Sequence, residues 1–383
     1  MPWMETCSMT ERIRFVMGAA TGAYSMVELC ERHGVSRKTG YKWLRRYEEE
    51  GVDGLLDRSR RPHGSPGRTD GEVERLLISV RLKHPRWGPE KILKVLGRHH
   101  SELELPACST VAAILKRNGL VTGRRRRRRH RHPGPPVREV TAPNELWTAD
   151  FKGQFKTLDG DWCYPLTVAD EQTRYLLACD GKRSTEGAGV RKTFEQVFRE
   201  HGLPEGIRTD NGTPFVVPHA MHGLSSLSVW WIQLGIRPER IEPGKPQQNG
   251  RHERMHRTLK DETVYPPASC IKAQQRRFDA FREEFNTERP HQALEQRTPS
   301  EVWSRSRRPY PDRIPTPEYP AHYQLRKVSS NGTIKFRNQH LLLSTTLNGQ
   351  RVGMEETDDG IWSIYFYDVL LARLDERSSE VIS

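Results

Sequence analysis

The chain has 383 residues, a formal net charge of +13 and six cysteines without a Cys-x-x-Cys pair. It contains no run of about eighteen apolar residues, which excludes a membrane-spanning helix from the expected elements. We expect reduced, mostly buried cysteines and a reducing compartment, and no secretory signal is visible. The charge excess falls entirely in residues 1–140, because residues 141–383 hold 33 basic and 33 acidic residues. That asymmetry indicates a nucleic-acid-binding front part, although a merely solvating basic face is the alternative.

Residues 1–60 have the pattern of a helix-turn-helix domain. A helix over 9–20 precedes a short helix capped by Ser25, and after a Gly34 turn Ser36 caps a third helix. That helix is predicted to turn Tyr41, Leu44 and Tyr47 toward the core. Its basic residues are the candidates for contacting DNA, with an ordinary helical bundle as the alternative: Arg37, Lys38, Lys42, Arg45 and Arg46.

A second helix-turn-helix domain is predicted over residues 68–122, with helices at 70–84, 89–99 and 109–118. Residues 51–67 are rich in Gly, Pro, Ser and Arg and indicate a linker between the two. A further Arg-rich linker covers 123–142. A run of six consecutive arginines in it cannot pack into a core, so we expect them to bind DNA phosphates, with a localisation signal as the alternative: Arg124, Arg125, Arg126, Arg127, Arg128 and Arg129.

From residue 143 the pattern changes to strands. Strands at 146–155 and 162–169 flank the Asp159-Gly160 turn, and a third strand follows at 175–179. A helix at 186–201, a strand at 206–209, a helix at 225–234, a strand near Ile236 and a helix beginning at Asn249 complete the order. This β-β-β-α-β-α-β-α order predicts an α/β mixed sheet of the ribonuclease-H-like type over 143–305. Short alternating strands then predict a small β-barrel over 315–383.

Three acidic residues lie where rigid elements begin or end. Asp150 ends an apolar strand, Asp210 opens a turn after another strand, and Glu253 lies in the first turns of a helix. Carboxylates fixed in this way can hold two Mg²⁺ ions, which prefer oxygen ligands and can clamp both oxygens of a phosphoryl transfer. Taken singly, each acid also has an ordinary explanation, as a turn former or as a partner of the helix dipole.

Four motifs in this order resemble the catalytic core of insertion-sequence DDE transposases, which are relatives of retroviral integrases. The resemblance covers about residues 145–305, and it rests on these segments: Trp147-Thr148-Ala149-Asp150, Thr209-Asp210-Asn211-Gly212, Lys245-Pro246-Gln247-Gln248-Asn249-Gly250 with Glu253-Arg254, and Phe285-Asn286 with Arg289-Pro290-His291 and Thr298-Pro299. The spacing between Asp210 and Glu253 is longer than is usual in the family, which fits an insertion around residues 217–228. The zinc-binding His-His-Cys-Cys module of the retroviral relatives is absent from the sequence.

The resemblance implies that Asp150, Asp210 and Glu253 are catalytic ligands of two Mg²⁺ ions, with Mn²⁺ as an expected substitute. It implies a transposase that binds terminal inverted repeats, cleaves the ends and joins the 3′-hydroxyl to target DNA. The double-stranded DNA of both ends and target, and at least a dimer on DNA, are the implied partners. We expect a cytoplasmic, nucleoid-associated protein of bacterial type, with no membrane partner. Further basic residues are expected at the DNA: Lys245, Arg254, Arg257 and Lys260.

Three other interpretations compete with this one. The segment from His252 to His256 also matches the His-Glu-x-x-His zinc-protease motif. We reject it because the helix is almost wholly polar and the motif leaves Asp150 and Asp210 unexplained; we expect both histidines to face DNA. A DNA-binding regulator without catalysis would explain the helix-turn-helix domains alone. A domesticated, inactive transposase would share every motif.

Overall fold

The computed structural model describes residues 7–58, 68–121, 139–217, 220, 223–242, 246–377 and 380–382. The chain divides into two compact units, Met1–Thr69 and Asp70–Ser383. The arginine run 124–129 and Lys245 lie outside the described residues. Within those ranges no helix has the length and apolarity needed to cross a bilayer. The six cysteines are free as expected, but only Cys30, Cys163 and Cys179 are buried.

The first unit confirms the three predicted helices, α1 (Ser8–Ala20), α2 (Met26–Arg32) and α3 (Arg37–Glu50). Ser25 forms a capping box with Glu28, and the Ser36 side chain accepts the Thr39 N–H. These caps satisfy amide groups that the first helical turn leaves unpaired. The core is built from the buried apolar side chains of all three helices and of the segment that follows: Phe15, Val16, Leu29, Cys30, Trp43 and Leu55.

Two expectations for this unit are wrong. The segment Gly51–Leu55 is a 3₁₀ helix rather than linker, because Leu55 is fully buried and its carbonyl accepts a 2.7 Å hydrogen bond from Arg12. On α3, Tyr41 is 59% exposed, and Gly40 and Trp43 are buried instead. A Cβ at position 40 would lie 2.8 Å from Cys30 Sγ, so α3 approaches its neighbours more closely than a larger residue allows.

The second unit begins with helices α4 (Gly71–Lys83), α5 (Pro89–His99) and α6 (Cys108–Arg117), which confirm the predicted positions to within one residue. Ser109 is not the cap of α6, which begins one residue earlier after Ala107. The three helices share an apolar core that includes Leu77, Trp87, Ile92 and Val111.

This helical module packs on the rest of its unit through charged pairs. His84 Nδ1 lies 3.0 Å from Glu284 Oε1, and the Lys83–Glu288 and Arg98–Glu301 pairs measure 3.2 and 2.8 Å. The exposed Lys83–Glu288 pair adds little stability by itself. Together, the three pairs fix which face of the module meets the rest of the unit.

The central sheet is mixed, as predicted, with strand order β2-β3-β1-β5-β6 and β4 paired to β3. The elements in chain order are β1 (Trp147–Phe151), β2 (Phe155–Lys156), β3 (Trp162–Asp170), β4 (Leu176–Lys182), α7 (Gly187–His201), β5 (Gly206–Thr209), α8 (Ser226–Gln233), β6 (Arg237–Arg240), α9 (Gly250–Leu259), α10 (Ile271–Thr287) and α11 (Pro299–Val302). The first predicted strand divides into β1 and β2. Pro238 lies within β6 where a loop was expected, which an edge strand tolerates.

The C-terminal region consists of sheets, but the predicted closed barrel is wrong. A five-stranded antiparallel sheet has the order β13-β12-β11-β10-β7, and the hairpin β8–β9 stands apart from it. The strands are β7 (Gln324–Lys327), β8 (Thr333–Phe336), β9 (Gln339–Leu342), β10 (Arg351–Asp358), β11 (Ile361–Phe366), β12 (Val369–Asp375) and β13 (Glu380–Ile382). The apolar face packs against Val229 and Ile232 of α8, so its burial does not require barrel closure.

Candidate active site

Two of the three candidate acids leave the central sheet at the same edge. Strands β1 and β5 are parallel neighbours in which Ala149 lies opposite Thr209. Asp150 and Asp210 are the next residues after that pair. Parallel neighbours deliver equivalent positions to one edge, so the sheet topology brings these two carboxylates to the same place.

The third acid comes from the start of α9. Glu253 is exposed in its first turn, and the buried face of the helix packs on the sheet. The segment that leads into α9 is closed by two 2.8 Å hydrogen bonds between Glu242 and Gln248, from the Glu242 N–H to Oε1 and from Nε2 to the Glu242 carboxylate. These two hydrogen bonds fix where α9 begins relative to β6.

The pKa of Asp150 is strongly raised. Burial raises its pKa to about 7, and the nearby carboxylates of Asp210 and Glu253 contribute in the same direction, while Lys152 lowers it. Carboxylates that raise the pKa of a neighbour lie close enough to share one electrostatic field. A buried carboxylate in this situation is stabilised by a cation.

The residues around Asp150 fit a hard cation in the chemistry of their donors. Asn249 Nδ2 donates to Asp150 Oδ2 at 3.3 Å, and the buried Asn249 Oδ1 has no partner among the described residues. An amide oxygen beside carboxylates is the donor type that Mg²⁺ accepts. Within the described ranges, no group of three or more His, Cys, Asp or Glu side chains is already gathered as a metal site.

The turn after β5 orients Asp210. The Gly212 N–H donates to Asp210 Oδ1 at 3.1 Å, and the Asn211 side chain donates to the Ile241 carbonyl at 3.0 Å. A Cβ at position 212 would lie 3.0 Å from Asp210 Oδ2, so glycine leaves room for the carboxylate at this turn. The Asp-Asn-Gly segment thus links the ends of β5 and β6 while holding the acid in one orientation.

The expectation that His252 and His256 face DNA is wrong, because both are buried against the sheet. His252 Nδ1 lies 2.8 Å from Thr148 Oγ1, and the Nε2 atoms of both histidines lie 2.6 Å from Thr167 Oγ1. Burial lowers the pKa of His252 to about 3 and that of His256 well below its ordinary value, so both rings are neutral. Three of the four ring nitrogens contact threonine hydroxyls, and His256 Nδ1 lies 3.7 Å from Asp150 Oδ2. This arrangement supports the rejection of a zinc-protease site.

The basic residues predicted at DNA are mostly exposed. On α3 this holds for Arg37, Lys38, Lys42 and Arg45, whereas Arg46 is half-buried with its guanidinium 5.1 Å from the centre of the Trp43 ring. Arg254 and Arg257 are exposed on α9, and Lys260 is exposed directly after it. The structure therefore leaves these side chains accessible from solvent.

Two residues next to the acids were missed from sequence. Asn249 donates to Asp150, and the charge of Lys152 lowers the pKa of that carboxyl. Lys152 lies two positions after Asp150, directly after β1, and this spacing is the signal that could have identified it. Asn249 was recognised as the start of the helix and as part of a family motif, but not as a partner of Asp150.

Several family models match the chain in this order. A helix-turn-helix domain model matches residues 11–63, and a homeodomain-like model matches 39–115. Two integrase core domain models match 140–246 and 234–299. The C-terminal domain of IS481 family transposases matches 323–381.

Similar proteins come from insertion elements and retroviruses. A 31.7 kDa protein of insertion element IS407 from Burkholderia multivorans is 29% identical, over 43% of this chain and 57% of its own length. A 39.2 kDa protein of insertion element IS476 from Xanthomonas euvesicatoria is 29% identical, over 49% of this chain and 47% of its own length. The Gag-Pol polyprotein of avian reticuloendotheliosis virus is 31% identical, over 31% of this chain and 10% of the polyprotein. The chain thus spans about half the length of these insertion-element relatives.

Among solved structures, the chain is similar to the HTLV-2 integrase catalytic core domain in complex with magnesium, with 15% identity and a TM-score of 0.35, over 43% of this chain and all of that one. It is also similar to a chain of the simian T-cell lymphotropic virus intasome in complex with PP2A regulatory subunit B56 gamma, with 16% identity and a TM-score of 0.37, over 77% of this chain and 97% of that one. The two integrase core matches and the IS481-type C-terminal match follow one another along the sequence. The chain is therefore similar, over its integrase core and its C-terminal region, to insertion-sequence transposases.

Proposed function

We propose that the protein is a DNA transposase that binds the terminal inverted repeats of a mobile element, cleaves the ends and joins the free 3′-hydroxyl to target DNA. The observation that carries the proposal is the parallel pairing of β1 with β5, which places Asp150 and Asp210 at one edge of the sheet. The raised pKa of Asp150, to which burial, Asp210 and Glu253 contribute, agrees with it. These acids come from β1, from the end of β5 and from α9. Such a site takes divalent cations, and phosphodiesters are the substrates on which it acts.

Asp150, Asp210 and Glu253 are the residues that would hold Mg²⁺, with Mn²⁺ as a substitute. When bound, the metal pair would supply activation of the attacking oxygen and stabilisation of the leaving oxygen. The protein's own contribution is positioning. Asn249 and the Thr167–His256 contact restrain the Asp150 region, and Gly212 restrains Asp210. Phosphoryl transfer depends chiefly on such positioning and electrostatics.

The test compares cleavage and binding in the same protein. Asp150→Asn, Asp210→Asn and Glu253→Gln each remove one charge while keeping the shape of the side chain. We expect each to abolish end cleavage and strand transfer in Mg²⁺, while binding to end DNA persists. Glu200→Gln, at an exposed position near the end of α7, is the matched control and retains both activities.

Near-normal strand transfer in any one of the acid variants would remove that residue from the site. Binding to end DNA without any cleavage by the unchanged protein would instead favour the regulator or the inactive transposase. Association on DNA to at least a dimer is part of the proposal, because two ends must be joined. Light scattering of the complex with end DNA measures it.

A further inference from the structure

A cavity of about 330 Å³ lies between α5, the end of β3, α9 and the segment after α10. Its lining does not include Asp150, Asp210 or Glu253. Five cationic side chains line it and only two carboxylates, Asp170 and Glu171, oppose them. The cations are Lys91, Arg174, Arg251, Arg254 and Arg289.

Both carboxylates already have hydrogen-bond or ion-pair partners in the protein. Asp170 Oδ2 accepts the Asn144 N–H at 2.7 Å, and Oδ1 accepts the N–H and hydroxyl of Thr173 at the same distance. Glu171 pairs with Arg251 at 3.3 Å. Arg289 pairs at 2.9 Å with Glu262, which lies outside the lining. Within the described ranges, Lys91, Arg174 and Arg254 form no ion pair, so the cavity keeps an excess of positive charge.

Arg174 is held in the cavity wall in an unusual way. Its Nε is buried without a hydrogen-bond partner among the described residues, and its backbone has a φ of 64°. A non-glycine residue adopts that left-handed conformation at a cost, which suggests that the surrounding turn imposes it. A buried guanidinium nitrogen without an acceptor is expensive unless a ligand supplies one.

The charges in the wall repel one another. Burial and the neighbouring Arg289 lower the pKa of Lys91 to about 8. Burial also lowers the pKa of His291 to about 3, with Lys91, Arg289 and Arg174 contributing. An anion bound among these groups would relieve that repulsion. Arginine forks and a lysine match the several oxygens of a phosphate better than the two of a carboxylate.

We propose that this cavity is a phosphate-binding pocket, and that it holds a backbone phosphate of the DNA strand on which the neighbouring acids act. The assignment to DNA rests on the proposed function. Its motivation is that Arg254, in the lining, follows Glu253 directly on α9. Because Lys91 belongs to the helical module and Arg174 to the turn after β3, the ligand would bridge both parts of the second unit. The cavity falls within the size range of small-molecule sites.

The test uses the full chain with Lys91→Gln, Arg174→Gln and the double variant. Lys272→Gln and Arg276→Gln, both on the exposed face of α10, remove the same charges elsewhere and are the controls. Affinity for a labelled duplex is measured by fluorescence anisotropy over a salt series. We expect the double variant to bind about tenfold more weakly, with the slope of log affinity against log salt reduced by about 0.9 for a single phosphate that is no longer neutralised. Lys91→Arg should retain binding.

Calorimetric titration with inorganic pyrophosphate separates the possible sources of phosphate. Weaker binding of both duplex and pyrophosphate supports a pocket that holds DNA. Loss of pyrophosphate binding with an unchanged duplex affinity supports the pocket but assigns it to a free phosphate compound. If the variants match their controls in both measurements while unfolding normally in urea, the proposal is overturned. The pocket is tested by binding alone, without catalysis. If the Asp150→Asn variant kept strand-transfer activity, the proposed function would be refuted, but the phosphate pocket would not.

Discussion

Helices α3 and α9 are both rich in basic residues, but they use them differently. Helix α3 leaves Arg37, Lys38 and Lys42 in solvent and buries Gly40 and Trp43. Helix α9 exposes Glu253 and its arginines but buries two histidines against the sheet. What lies beneath each helix explains the difference. Apolar side chains lie under α3, whereas β1 and β3 offer α9 the hydroxyls of Thr148 and Thr167.

The buried histidines of α9 give the largest expected effect. His252→Ala removes a buried ring and leaves a cavity beside the Thr148 and Thr167 hydroxyls. We expect a loss of about 2–4 kcal/mol in the free energy of unfolding, measured in urea. Arg257→Ala on the exposed face of the same helix should change it by less than about 0.5 kcal/mol. Equal effects of the two substitutions would mean that His252 is not part of the core.

The exposed face of α3 gives the next effect. Replacing Arg37, Lys38 and Lys42 together by Gln should reduce the preference for inverted-repeat DNA over random DNA on the order of a hundredfold, because each side chain that reads a base contributes roughly 1–3 kcal/mol. Replacing Lys192, Lys272 and Arg276 by Gln removes the same charge from exposed positions in the second unit. If both sets reduce the preference alike, α3 acts only through its charge. Competition binding at fixed salt measures the ratio.

The titration of Asp150 makes the free energy of unfolding depend on pH. Its folded pKa of about 7 lies above the ordinary carboxyl value, so ionising it weakens the fold as pH rises between about 4 and 7. In EDTA at pH 8, Asp150→Asn should therefore stabilise the protein by about 2 kcal/mol. Below about pH 3.5 the carboxyl is largely protonated in both the folded and unfolded states, and the difference should vanish. If Asp150→Asn is instead less stable than the unchanged protein at pH 8 without metal, the ionised Asp150 carboxylate does not destabilise the fold.

Magnesium should reverse the order of stability of the unchanged protein and Asp150→Asn. The ion stabilises whichever form binds it, so adding Mg²⁺ at pH 8 should raise the melting temperature of the unchanged protein and not that of Asp150→Asn. Equal responses of the two proteins would indicate that the ion binds elsewhere.

The apolar periodicity, together with capping and turn residues, predicted α3 and the strands and helices of the central sheet well. Local signals such as Ser36 and Asp210-Asn211-Gly212 determine where these elements begin and end. The acids were identified from their positions at those ends. Contacts between distant segments were not predictable. The threonine partners of His252 lie on strands about a hundred residues earlier, and the C-terminal sheet is covered by α8 rather than by closing on itself. Such choices depend on which surfaces meet, and a single sequence does not record that.

Tyr41 is the residue for which sequence and structure disagree most directly on α3. Helical spacing assigned it to the core with Leu44 and Tyr47, but its side chain is 59% exposed beside Lys42 and Arg45. An exposed aromatic ring among cations can contact sugar or base edges. Because it buries little, Tyr41→Ala should leave the free energy of unfolding within about 0.5 kcal/mol.

The same substitution should weaken binding to inverted-repeat DNA by roughly threefold to tenfold, or about 1 kcal/mol. Leu44→Ala, on the half-buried side of the helix, is the control and should show the opposite profile, with reduced stability and little effect on intrinsic affinity. Chemical unfolding and anisotropy on one preparation give both numbers for each variant. If Tyr41→Ala loses as much stability as Leu44→Ala, then Tyr41 faces the core, as the helical spacing predicted. The basic face would then be narrower than the structure indicates.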